Sequence, residues 1–127
     1  MKGIKWNKGG VVVIYRVKTY KVSEENLELF NEFFLQYLFP NQINHGSHLI
    51  GRWVNSYKNK VTAIWAYENL DHYEEIERKI RQTKMHEEAK KRKKELPELF
   101  ISSSQEFWEM TGDYKEKERD SSETVDI

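Results

Sequence analysis

The sequence predicts an α+β fold built on a four-stranded antiparallel sheet. Three observations predict it. Val61-Thr62-Ala63-Ile64-Trp65-Ala66-Tyr67 is a short run, apolar on both parities, that ends in a helix-start signal. A strand wetted on one face alternates apolar with polar, so this run belongs to a strand covered on both sides. Two stretches with apolar residues at three- and four-residue spacing, 27–38 and 70–80, lie between the strand candidates. The polar Tyr57-Lys58-Asn59-Lys60 joins two strands as a hairpin.

In chain order, residues 1–9 are polar and read as a loose arm. Val11 to Tyr20 is the first strand, apolar on both parities at its start and mixed from Arg16 and Lys18 onward. Ser23 is the candidate N-cap of the first helix, with the acidic Glu24 and Glu25 placed to complement the helix dipole. Leu27, Phe30, Phe34 and Leu38 form its stripe, widened by Leu29 and Phe33. Pro40 is expected to stop this helix, because its ring disfavours a helical Phe39. Asn41 to Ser47 then reads as a loop, turning at Asn44-His45-Gly46.

His48 to Ser56 is the second strand. Alternation assigns Leu49, Gly51 and Trp53 to one face and Ile50, Arg52 and Val54 to the other. Val61 to Tyr67 is the third strand. Asn69 caps the second helix, whose inner face carries Leu70, Tyr73, Ile76 and Ile80. The stripe resumes on a rotated register at Met85, Ala89 and Leu96, which predicts a break near Gln82-Thr83. Leu99 to Met110 is the last strand. Residues 10–112 are thus one domain, and the charged, Ser-rich 113–127 reads as a disordered tail.

The order strand, helix, strand, strand, helix, strand is the split βαβ, ferredoxin-like pattern. Two crossover helices cover one face of such a sheet. The two-sided apolarity of the first and third strands therefore requires something on the far face. A second copy packed sheet to sheet, under two-fold symmetry, is the simplest solution, so a homodimer is expected.

Composition narrows the function classes. Lys plus Arg and Asp plus Glu both number 21, so no net field draws the chain to nucleic acid or an anionic membrane. Without cysteine, disulfides and thiolate chemistry are excluded. No apolar run has signal-peptide or bilayer-spanning length. A cytoplasmic location is expected, with self-association, a possible small-molecule ligand, no nucleic-acid partner and no membrane partner. The basic run Lys90-Lys91-Arg92-Lys93-Lys94 lacks interleaved aromatics and reads as a solvated helix end. No Gly-rich phosphate loop, nucleophile elbow or metalloprotease helix is present.

The chain resembles the NIPSNAP-like family of dimeric α/β-barrel proteins. The resemblance is carried by Tyr15-Arg16-Val17-Lys18-Thr19-Tyr20, by His45-Gly46 with Leu49-Ile50-Gly51-Arg52-Trp53, and by Ile64-Trp65-Ala66-Tyr67-Glu68. It spans about residues 11 to 110. Arg16 stands where the family usually has an acidic residue, Lys18 where it has arginine, and Val22-Ser23 replaces a Pro-Gly turn. The resemblance implies a dimeric barrel and no settled reaction. Its wider superfamily holds monooxygenases and haem-degrading enzymes, which makes a monooxygenase-type enzyme, haem-dependent or not, the alternative to a binding protein.

No catalytic residue can be assigned from the sequence, and neither a metal nor a cofactor is expected. His45 and His48 are two ligands at most, too few for a metal site, and read as turn and strand chemistry. Five residues are ligand-pocket candidates. Arg16 and Arg52 could clamp an anion if buried, or face solvent at a sheet edge. Trp65 and Tyr67 could wall a pocket for a flat apolar molecule, or be core. His86 lies where the resemblance to haem-degrading relatives places an iron-ligating histidine. Its plainer reading is a half-exposed helix residue among Lys84, Glu87 and Glu88.

Overall fold

The computed structural model describes residues 13–114. The strands are β1 (Ile14–Lys21), β2 (His48–Val54), β3 (Lys60–Tyr67) and β4 (Ser102–Glu109). They form one antiparallel sheet in the order β2-β3-β1-β4. The helical segments are α1 (Glu24–Phe33), a π-helical turn (Phe34–Leu38), α2 (Phe39–Asn44), α3 (Leu70–Arg81) and α4 (Lys84–Glu95). This is the expected α+β, ferredoxin-like architecture. Residues 1–12, which include the expected arm, and 115–127, most of the expected tail, fall outside the described residues.

The first helix does not stop at Pro40. The π turn widens the helix just upstream, and Pro40 enters at the start of α2. A proline removes one amide donor and its ring crowds the carbonyl four residues back; a locally wider helix relieves both demands. Helix thus replaces most of the expected loop, and the turn shortens to His45-Gly46. Gly46 has φ +100°, a conformation that suits glycine.

Caps explain the other helix ends. Asn69 Oδ1 accepts from His72 N at 2.8 Å and opens α3. Thr83 Oγ1 accepts from His86 N at 3.1 Å and opens α4, so the expected break at Gln82-Thr83 is a new helix start. Ser23 occupies the N-cap position of α1 but its side chain makes no capping bond, and Asn26 instead donates to the Glu98 carbonyl at 3.0 Å. On α3, Ile76 and Ile80 are buried and Tyr73 is half-buried, whereas Leu70 lies 47% exposed because it sits in the first turn, beyond the sheet.

The helices cover one face of the sheet. Val61 packs with Val22, Phe30, Phe33, Ala89 and Leu99. Ala63, Trp65 and Tyr67 pack with Phe34, Ile76 and Ile80. Each large buried side chain here stabilises the fold by roughly 1.5–3 kcal/mol. Register fixes which β1 residues share that face: Arg16 pairs with Trp65, Lys18 with Ala63 and Tyr20 with Val61.

In β2 the expected faces are exchanged beyond Leu49. A bulge at Ile50 lets Leu49 pair with Trp65 and Arg52 with Ala63. An extra residue in one strand inverts the parity that follows it. Arg52 and Val54 therefore face the helices with Leu49, while Trp53 lies on the opposite face over Gly51. A Cβ on Gly51 would come within 2.4 Å of the Trp53 ring.

That opposite face carries Tyr15, Val17, Ile64 and Ala66 at its centre. Trp53 and Trp108 flank them, 52% and 50% exposed. No helix of the described residues lies across it, and no helix among them is long and apolar enough to cross a membrane.

Candidate functional site

Between the helices and the sheet lies a cavity of about 260 Å³. Arg16, Lys18 and Tyr20 project into it from β1, and Ala63 and Trp65 from β3. Phe34 and Leu38 enter from the π turn, Gln42 from α2, and Glu77, Ile80 and Arg81 from α3. His86, on α4, completes the wall. The cleft thus combines an aromatic wall, Trp65 with Phe34 (centroids 6.0 Å apart), and a polar wall.

The polar wall is mostly cationic. Arg16 is only 8% exposed, on a central strand rather than a sheet edge. Its Nε donates to Gln105 Oε1 at 2.8 Å, and its guanidinium carbon lies 5.1 Å from the Tyr73 ring centre. Burial disfavours its charge, but Glu77, then Tyr73 and Tyr67, more than offset that, so its pKa is raised. Lys18 is pulled below its ordinary value by burial first, then by the charge of Arg16, with Glu77 opposing and Lys93 adding least. Burial raises the Tyr20 phenol. The ion pairs among the described residues, Lys79–Glu75 and Arg92–Glu95, are on the surface and include none of the cleft's charges. Glu77 Oε2 instead accepts from Gln42 Nε2 at 2.9 Å. Buried Arg16, half-buried Lys18 and, at the exposed rim, Arg81 thus face one carboxylate, Glu77, a surplus of two formal positive charges.

His86 is positioned by its own helix start. Thr83 Oγ1 receives both His86 N and, at 2.9 Å, Asn41 Nδ2, and donates to the Ile80 carbonyl at 2.7 Å. One hydroxyl therefore ties α2, α3 and α4 together at the cleft's edge.

Of the five candidates, Arg16, Trp65 and His86 meet in this cavity. Tyr67 does not line it. It is 1% exposed, packs edge-on to Tyr73 at 5.1 Å, and its hydroxyl is buried without a hydrogen-bond partner. Burial raises that phenol, against opposing pulls from nearby Ser47 and Arg16. Arg52 lies elsewhere, over the far side of Phe34 in a separate cavity. Lys18, Gln42, Glu77 and Arg81 complete the cleft and were not among the candidates. Two signals bear on them: Lys18 shares strand parity with Arg16, and Tyr73, Glu77 and Arg81 recur at every fourth residue of α3.

Among the described residues no group of three His, Asp or Glu is placed to hold a metal ion. His45 Nδ1 donates to the Asn41 carbonyl at 2.7 Å, which is turn chemistry. The cleft's volume lies just under the roughly 300–1,000 Å³ of sites for drug-sized ligands. A haem is larger than most such ligands, and the cleft as it stands does not fit one.

The sequence model of the NIPSNAP family matches residues 15–110. No curated protein matches the chain. Among solved structures, one NIPSNAP family protein from Agrobacterium tumefaciens is 19% identical with a TM-score of 0.69, over 84% of this chain and 93% of that one. A second from the same organism, of unknown function, is 14% identical with a TM-score of 0.68, over 80% and 90%. A dimeric ferredoxin-like protein from an uncultured marine organism is 14% identical with a TM-score of 0.52, over 84% and 94%. At these identities the structural likeness is one of fold.

Proposed function

The chain belongs to the NIPSNAP family, and from that premise we propose that it is a homodimer that binds a small anionic molecule with a flat apolar body in the cleft between Arg16 and His86. The observation that carries the reading is the surplus of positive charge in a largely buried cleft. Arg16 is tethered by a neutral amide, Gln105, and the one carboxylate of the cleft, Glu77, is shared between Arg16 and Lys18, whose charges oppose each other. A ligand carrying two negative charges supplies the missing counter-ions, and Trp65 and Phe34 offer its ring an apolar wall. Small-molecule sites pair an apolar lining with a few such polar anchors.

The dimer rests on the uncovered face of the sheet. The half-exposed Trp53 and Trp108, with the partly exposed Tyr15 and Ile64 between them, make an apolar patch of the kind that covers itself with a second copy. The dimeric marine neighbour gives a precedent for the fold. A cytoplasmic location and a single domain over 10–112 belong to the same reading. The monooxygenase alternative rests on fold likeness alone, which does not carry a reaction.

Titration calorimetry with phenyl phosphate and with the neutral benzyl alcohol tests the ligand class. Phenyl phosphate is expected to bind, benzyl alcohol to bind far more weakly, and Arg16→Gln to weaken the phosphate by about tenfold or more. Equal binding of the two probes, or no binding of either, contradicts the proposal.

A further inference from the structure

Arg52 is not part of the cleft, yet it is arranged as a ligand anchor. Its guanidinium lies against two aromatic rings, with Cζ 4.8 Å from the Phe30 centroid and 4.4 Å from that of Phe34. Nη1 donates to Asn31 Oδ1 at 2.6 Å. Nε and Nη2 are buried and have no hydrogen-bond partner. These two donors share one edge of the guanidinium, the edge that grips both oxygens of a carboxylate side-on. The two ring contacts and the bond to Asn31 hold the guanidinium, so the unpaired edge is pre-oriented. Burial disfavours the charge, and no carboxylate lines the surrounding cavity.

That cavity measures about 460 Å³, inside the roughly 300–1,000 Å³ of small-molecule sites. Apart from Arg52 and Asn31 its lining is apolar, including Leu35, Leu49, Trp53 and Val54. Leu35 is 64% exposed and Val54 37%, so the rim on the Arg52 side has room to open toward the buried donors. We propose that this cavity is a second binding site, for an apolar monocarboxylate: the carboxylate takes the Nε–Nη2 edge of Arg52 and the hydrocarbon lies along Leu35, Leu49 and Val54. The site is separate from the Arg16 cleft, since Phe34 is a wall of both. It selects one negative charge where the cleft selects two.

The test is titration calorimetry of the intact protein with octanoate and with octan-1-ol. Octanoate is expected to bind at least about tenfold more tightly than the alcohol, and Arg52→Gln to remove that preference. Leu35→Trp, at an exposed position that leaves the core untouched, is expected to block both probes and serves if Arg52→Gln does not fold. Arg16→Gln is expected to leave octanoate unaffected, which keeps this result distinct from the cleft's. The proposal is overturned if octanoate does not bind, if it binds no better than the alcohol, or if its binding survives Arg52→Gln or Leu35→Trp. Loss on Arg16→Gln alone would assign octanoate to the cleft and overturn it equally.

Discussion

Arg16 Nε donates to Gln105 Oε1 at 2.8 Å, from the central strand of the sheet to its edge strand. A glutamate at 105 would have paired the same arginine with a charge. The amide holds the guanidinium in place and leaves its charge for something else. Gln105→Glu is therefore expected to supply a resident counter-ion. Phenyl phosphate affinity should fall by about tenfold, with the melting temperature unchanged or higher. Unchanged affinity in calorimetry would show that the Arg16 charge does not serve the ligand.

Lys18 gives the cleft a signature in pH. Its folded pKa is depressed by burial and by Arg16, against 10.5 in the open chain. Between the two values the unfolded chain holds more protons, so stability rises with pH across that window. Below it, the charged lysine is a standing penalty on the folded state. Lys18→Met is expected to be more stable than the wild type at neutral pH, with the gain shrinking as pH approaches 10.5. Urea denaturation at a series of pH values reads this directly. A gain independent of pH would mean that packing, not charge, accounts for it.

Thr83 is the small residue on which the cleft's edge depends. Thr83→Ala removes the cap of α4 and the partner of Asn41, which is 6% exposed. The lost cap costs about 1 kcal/mol and the orphaned amide roughly 1–3 kcal/mol. Thr83→Ser keeps the hydroxyl and should recover most of the loss in denaturant melts.

Trp65 is 4% exposed at the centre of the helix-facing sheet. Trp65→Asp buries an unpaired carboxylate at a cost of several kcal/mol, comparable with the roughly 5–15 kcal/mol that hold a domain folded. Circular dichroism is expected to show an unfolded chain.

Trp108, 50% exposed, tests the opposite face. The wild type is expected to elute as a dimer in size-exclusion chromatography with light scattering. Trp108→Glu is expected to elute as a folded monomer, because the side chain contributes to the shared face more than to its own core.

Much of this fold is legible in the sequence because its strongest signals are local. The two-sided apolarity of Val61 to Tyr67, the Asn69 cap and the interrupted stripe at Thr83 all appear where the sequence places them. Two features are not local in that sense. The π turn that carries the chain through Pro40 has no residue signature of its own, and the bulge at Ile50 that inverts the faces of Arg52 and Trp53 is marked only by Gly51 beside it, a signal too weak to override the alternation. The cleft is legible only in part. Arg16, Trp65 and His86 stand out by residue type, whereas Lys18 and Glu77 look like solvated charges until strand register and the inner face of α3 bring them to the cleft, with the exposed Arg81 at its rim. A strand apolar on both parities does not say which parity the helices will cover, and here they cover the one that carries the cations.

The most direct test of the anion cleft is an NMR titration with phenyl phosphate that follows the four tryptophan indoles and the histidine rings. Trp65 and His86 are expected to shift together, saturate together, and lose both shifts in Arg16→Gln, while Trp53 and Trp108 stay fixed. Shifts confined to Trp53 and Trp108, or none at Trp65 and His86 at millimolar phenyl phosphate, would contradict it.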